Sequence, residues 1–174
     1  MKQLFIAMLL ASGLMREGNT AQNVTVSFTA ELLSGTCDVS VAGNGSDATI
    51  ILPTLTAVEL NEKKIAGYTP FTITLANCFG TLPMARVYFE KGSNVDSTYG
   101  YLKNNGGTAT NANLSLLNAD DSLVDIGFDT QPYIDISTGT GTQNFKVAYT
   151  NYFTGGKATG GTVISSITYH IDYK

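Results

Sequence analysis

An all-β domain is the fold that this sequence predicts. The 174-residue chain contains 18 glycines and only 14% charged residues, a balance that favours strands and turns over helices. Apolar and polar residues alternate with a period of two over several segments, as they do in half-buried strands. No long stretch shows a helical period and no low-complexity linker divides the chain, so we expect one domain.

The first 21 residues have the pattern of a secretory signal. A short positive start at residues 1–2 precedes an apolar run over residues 4–15, and Ala21 offers a small residue at the cleavage point. The apolar run is shorter than the roughly 20 residues that a membrane-spanning helix needs. We therefore expect residues 1–21 to be removed and the mature chain to be exported.

The chain contains two cysteines, Cys37 and Cys78. Export places them in an oxidising compartment, where such a pair in a small β domain is far more often a disulfide than two free thiols. A redox-active pair is the alternative, but the C-x-x-C spacing that tunes thiol acidity is absent. We predict a disulfide that closes a loop of about 40 positions and stabilises the fold by roughly 4 kcal/mol in the chain-entropy model.

Composition excludes several classes of function. The net charge of -4 gives no basic surface for nucleic acid. One histidine and two cysteines leave a zinc, haem or Cys-His site short of ligands, so we predict no metal, no cofactor and no enzyme activity. His170 and Asp172, two positions apart, are more simply the solvent face of a strand than a catalytic base with its orienting group.

Alternating segments separated by glycine- and asparagine-rich turns recur along the mature chain. Short strands with regular turn signals predict a sandwich or a barrel. One helical turn fits within residues 54–66. The predicted strands lie at residues 24–32, 39–41, 48–52, 71–75, 86–90, 114–117, 133–136, 145–152 and 163–173.

Both ends of the mature chain are apolar and alternating. Pairing within their own domain is the simpler interpretation for an arbitrary β protein. Two such ends favour the alternative, in which a terminal strand is added to the open sheet edge of a neighbour. One face at the amino end carries Val24, Val26, Phe28, Ala30 and Leu32, and one face at the carboxyl end carries Val163, Ile167, Tyr169, Ile171 and Tyr173.

The mature chain resembles pilins of the chaperone-usher pathway, close to the type 1 fimbrial subunits. Residues 22–32 with the following Cys37 are similar to the donor-strand extension of that family, and residues 71–78 resemble its strand into the second cysteine. The terminal region matches as well, with Gly161 fourteenth from the end and Tyr173 penultimate. Ala30 stands where the family usually has glycine.

The resemblance implies a fold and a mode of assembly. Residues 37–174 would form an incomplete immunoglobulin-like β-sandwich that lacks its last strand, and residues 22–36 would form the donor-strand extension. A periplasmic chaperone would lend a strand to the open groove. At the outer-membrane usher, the extension of the next pilin subunit would replace it and so complete the fold by donor-strand complementation.

The same resemblance assigns roles to the two apolar ends. The donated side chains would be those of Val24, Val26, Phe28, Ala30 and Leu32. The edge of the groove that contacts the chaperone would consist of Gly161, Ile167, Tyr169, Ile171 and Tyr173.

The function implied is that of a structural subunit of an adhesive fimbria, exported through the periplasm to the cell surface and serving cell adhesion. A tip adhesin with an extra receptor domain is rejected, because the mature chain leaves no room for that domain. Two alternatives stay open: a minor or adaptor subunit with its own receptor binding, and a secreted β-sandwich carbohydrate-binding module. The identity of a host receptor is open too.

Overall fold

A computed structural model describes residues 35–128, 130–152 and 154–174. These residues contain one helix, α1 at Ala57–Lys63, which lies between the first two strands. The all-β prediction is confirmed, and the predicted strand at residues 24–32 lies outside the described residues. The strands are β1 at Gly35–Val41, β2 at Ile65–Gly80, β3 at Met84–Phe89, β4 at Asn113–Asn118, β5 at Ile134–Asp135, β6 at Gly141–Thr150 and β7 at Tyr169–Tyr173.

Two antiparallel sheets form the sandwich. One sheet has the strand order β1-β2-β6-β4 and the other has the order β5-β3-β7. Alternate side chains of β2, β3 and β6 point between the sheets, because successive residues of a strand face opposite sides. Phe145 and Phe89, which are both buried, meet edge to face with ring centroids 5.0 Å apart. This core fixes the two sheets against each other.

Two predicted strands are absent from the structure in whole or in large part. Residues 48–52 form no strand, and within residues 163–173 only Tyr169–Tyr173 does, by pairing with β3. The alternating burial nevertheless persists, since Ile50, Leu52, Val163 and Ile167 all pack against the core while partly buried. The apolar pattern was interpreted correctly. Residues 48–52 and 163–168 are extended segments without a ladder among the described residues.

Helix α1 is longer than the single turn that fits the sequence pattern. The Oγ1 atom of Thr56 accepts a hydrogen bond from the Glu59 amide at 3.1 Å and so caps the amino end. Lys63 and Glu59, one turn apart, form an ion pair at 2.8 Å. Leu60 is buried and packs the helix against the domain at the end where β2 begins.

The predicted disulfide between Cys37 and Cys78 is present and joins β1 to β2. The two strands pair Thr36 with Phe79 and Asp38 with Ala76, so the register shifts at the cysteine. Both cysteines pack against a small buried cluster beneath them. The disulfide therefore ties the start of the domain to the far end of β2.

Replacing both cysteines by serine is expected to lower the free energy of unfolding by roughly 4 kcal/mol, because the unfolded chain regains the closed loop's conformational freedom. Urea unfolding of the mature chain with a bound peptide of residues 22–34 measures this change. Two titratable thiols per folded wild-type chain, under non-reducing conditions, would contradict the prediction.

Candidate functional site

Strand β7 is paired along one edge only, as far as the described strands show. It lies antiparallel to β3, from Tyr169 opposite Phe89 to Tyr173 opposite Ala85. Lys174 exchanges both of its backbone hydrogen bonds with Met84, so the even-numbered residues of β7 direct their backbone N–H and C=O groups to β3. The odd-numbered residues then point their N–H and C=O groups to the other edge, where no strand of the described residues pairs.

Two tyrosine hydroxyls hold this edge opposite β1 and the turn that follows it. The Tyr173 hydroxyl accepts a hydrogen bond from the Cys37 amide at 3.1 Å. The Tyr169 hydroxyl donates one to the Ser46 carbonyl at 2.6 Å. The residue order shows that the two segments run antiparallel across the gap.

An apolar groove adjoins this edge, between the segment that follows the turn and the segment that precedes β7. A cleft of about 290 Å³ lies between Ile50 and Leu52 on one side and Ile167 on the other. Leu52 also lines an adjoining cleft of about 350 Å³, which continues to α1 and Val163. We define the groove as the two clefts together with the edge of β7 that follows Ile167 in the chain; its helix end is at α1, and its disulfide end is where Tyr173 contacts Cys37.

Gly161 shapes the helix end of the groove. Its φ is +150°, and a Cβ atom there would lie 2.5 Å from the Ala109 amide nitrogen and 2.7 Å from Thr108 Oγ1. Thr108 and Thr162 each accept, at Oγ1, a hydrogen bond of 3.0 Å from the amide of the other. A side chain at position 161 would push these two segments apart and so move the groove wall.

Two of the predicted edge residues line the clefts: Ile167 the first and Gly161 the second. Tyr169, Ile171 and Tyr173 follow on β7 with partly buried side chains, and the role of these residues in contacting a chaperone stays a prediction. The opposite wall, formed by Ile50, Leu52, Leu55 and Leu60, was not identified from the sequence. Alternation over residues 48–52 signals an extended segment, but no local pattern says which strand it faces. The predicted donor residues lie outside the described part of the chain.

The outer face of β7 is polar. Arg86, which is buried, donates to Asp172 Oδ2 at 2.8 Å. The exposed His170 lies 3.1 Å from Glu90 Oε1 and stacks on Tyr88, with ring centroids 4.7 Å apart. His170 and Asp172 thus bridge β7 to β3 on the side away from the groove, as expected for the solvent face of a strand.

Burial, and then the charge of Asp47, raises the pKa of Tyr169. The contact with Ser46 needs the protonated hydroxyl, so its stabilisation is complete below the ordinary tyrosine pKa of about 10 and is lost as the pH rises through the higher pKa of the folded state. We expect Tyr169→Phe to lose less thermal stability than the wild type as the pH rises above about 10. Equal alkaline losses in the two proteins would contradict this expectation.

Residues 35–128, 130–152 and 154–174 contain no group of three or more His, Cys, Asp or Glu side chains arranged to hold a metal ion. Nor does this part of the chain contain a helix long and apolar enough to cross a membrane. The groove places two apolar clefts next to backbone groups of β7 that no other described strand pairs, which is the chemistry that recognises an added β-strand.

Fold and groove together define an antiparallel two-sheet sandwich in which no other strand of residues 35–174, as far as they are described, pairs with the outer edge of β7. No protein-family model matches the chain. It is 32% identical over 164 residues to the major fimbrial subunit SMF-1 of Stenotrophomonas maltophilia strain K279a, covering 88% of the chain and 94% of that protein. It is 30% identical over 178 residues to the F17 fimbrial protein of Escherichia coli, covering 98% and 97%. The chain belongs to the fimbrial subunit family.

Solved structures agree on the fold. The P pilus rod subunit PapA superposes with a TM-score of 0.60 at 17% identity, covering 79% of the chain and 99% of PapA. A subunit in the structure of a chaperone-usher pilus gives 0.59 at 18% identity, covering 88% and 97%. The predicted resemblance to chaperone-usher pilins and the predicted sandwich class are confirmed.

Proposed function

We propose that this chain is a structural subunit of an adhesive fimbria and polymerises head to tail by donor-strand exchange. The observation that carries the proposal is the edge of β7 with which no other described strand pairs, next to the apolar groove. Membership of the fimbrial family supports a structural role at the cell surface, and both relatives carry the names of fimbrial proteins rather than enzymes. The division into a donor-strand extension at residues 22–36 and a pilin domain at residues 37–174 is part of this proposal.

The groove and the extension match in length and chemistry. Residues 24–32 would span about 26 Å when extended, and residues 163–173 span at most about 33 Å. The five apolar donor side chains repeat every second residue, as the inward-facing side chains of the wall do. Burial of each large apolar side chain contributes about 1.5–3 kcal/mol. The backbone of the donor strand would pair with the free groups of Tyr169, Ile171 and Tyr173.

An unfilled groove is an aggregation hazard, because it exposes both apolar surface and unpaired strand edge. We propose that a periplasmic chaperone covers it with a lent strand along β7, and that the outer-membrane usher is where the next subunit's extension replaces that strand. The same edge then serves the chaperone first and the neighbouring subunit afterwards. A contact between unlike surfaces of identical copies does not close on itself and so grows a filament.

Periplasmic expression with and without the chaperone tests this function. We expect the mature chain to aggregate or be degraded when the chaperone is absent, and to be recovered as a one-to-one complex when it is present. An abundant, soluble, monodisperse monomer without any donor peptide would contradict the proposal.

A further inference from the structure

Phe79 is a large apolar side chain that the fold leaves uncovered. It is 72% exposed and lies next to the last residue of β2, at the disulfide end of the domain. Its ladder partner is Thr36, and the neighbouring pair is Gly35 with Gly80. The ring therefore stands beside the point where the amino-terminal extension joins the domain.

A second exposed apolar group lies at the helix end. Val58 on α1 is 66% exposed, and Ile164, which lines the same cleft as α1, is 54% exposed. Strand β2 begins two residues after α1 and runs for 16 residues to Gly80. At about 3.3 Å per residue, Phe79 lies roughly 45 Å from the start of β2. The two apolar groups thus occupy opposite ends of the domain.

The proposed function limits how far Phe79 lies from the neighbouring subunit. If Leu32 is inserted into the groove of the preceding copy, only two residues separate it from Gly35, and a fully extended chain bridges at most about 11 Å over these three steps. Phe79, beside Gly35 in the ladder, is then held close to the groove end that receives Leu32.

Head-to-tail growth determines the end of the groove at which Leu32 enters. Each subunit's own extension leaves from the disulfide end of its groove, since the Tyr173 hydroxyl accepts a hydrogen bond from the Cys37 amide. If Leu32 entered there, like ends of two copies would face each other, an arrangement that closes into a pair. Head-to-tail growth places Leu32 at the helix end, with the donor strand antiparallel to β7.

We infer that Phe79 of each subunit packs against the helix end of the preceding copy, at Val58 and Ile164. The inference rests on the proposed function and adds to it a second, apolar contact between consecutive subunits. This contact lies outside the groove and limits how the two domains tilt about the short connection of residues 33–34.

Photo-crosslinking in assembled filaments tests the contact. Benzoylphenylalanine replaces Phe79 in the full chain, filaments are irradiated, and the adducts are mapped by mass spectrometry. The matched control is the same probe at Leu123, which is 46% exposed and lies on the segment joining β4 to β5, at the sheet edges away from β1 and β7. We expect a ladder of crosslinked subunits from position 79, with adducts within residues 51–60 or 159–164, and no such adducts from position 123.

Filaments that form but give no subunit adducts from position 79, or adducts only in other segments, overturn the inference and leave donor-strand exchange intact. If the probe at 79 prevents assembly, the reciprocal probe at Val58 is expected to form adducts within residues 78–83, and their absence overturns it equally. A wild-type chain that forms no filaments in electron micrographs contradicts the proposed function itself.

Discussion

A mature chain that lacks residues 22–29 is expected to join no preceding subunit while still taking up the chaperone through its own groove. The deletion removes Val24, Val26 and Phe28 from the donor strand but leaves β7 and both groove walls unchanged. Co-expression with the chaperone and usher, followed by electron microscopy and recovery of the chaperone complex, measures the two properties separately.

The complex of the deleted chain with the chaperone is the internal control. Its yield is expected to equal that of the wild type, since the deletion lies outside the domain. Filaments of normal length and number from the truncated subunit would show that residues 24–32 pair within their own domain, and the proposed polymerisation would fail.

Phe28→Asp is expected to reduce assembly nearly as far as the deletion does. An unpaired carboxylate in an apolar pocket costs several kcal/mol or is forced to take up a proton. A loss of about 3 kcal/mol per junction weakens each junction more than a hundredfold. Filament number per cell, counted in micrographs at equal subunit expression, measures the effect.

Two substitutions at the neighbouring donor position change the size of the residue while keeping it apolar, and so separate the effect of size from that of charge. Ala30→Gly restores the residue usual in the family and is expected to leave assembly intact. Ala30→Leu overfills a small pocket at a cost of about 1–3 kcal/mol. Assembly by Phe28→Asp at the wild-type level would mean that position 28 does not enter an apolar groove.

The local sequence pattern predicted which segments form strands better than it predicted where those strands begin and end. Alternation over residues 71–75 indicated a strand, but β2 runs from Ile65 to Gly80 because β6 and β1 pair with successive parts of it. It also passes through Pro70 and an irregular register between Ala66 and Thr69. Ladder length depends on partners distant in sequence, so no short window of residues determines it.

Only one of the two walls of the candidate site could be predicted from the sequence, for a related reason. The wall that carries Tyr169 and Ile171 is a periodic segment that the family resemblance identifies. The facing wall joins residues of an irregular segment, such as Leu52, to Leu60 of α1. Their proximity follows from how the two sheets are closed, which alternation alone does not encode. The same holds for Phe79 and Val58, whose placement at opposite ends follows from the course of β2.

Amide hydrogen exchange along β7 tests the donor-strand mechanism most directly. The chain lacking residues 22–29 is refolded with a synthetic peptide of residues 22–34, and exchange is followed by NMR. The amides of His170 and Asp172 serve as references, because β3 protects them whether or not a donor strand is bound. We predict that the amides of Tyr169, Ile171 and Tyr173 become equally slow in the peptide complex. Exchange of these three amides at the rate of exposed backbone, with the peptide bound, would contradict donor-strand pairing at this edge.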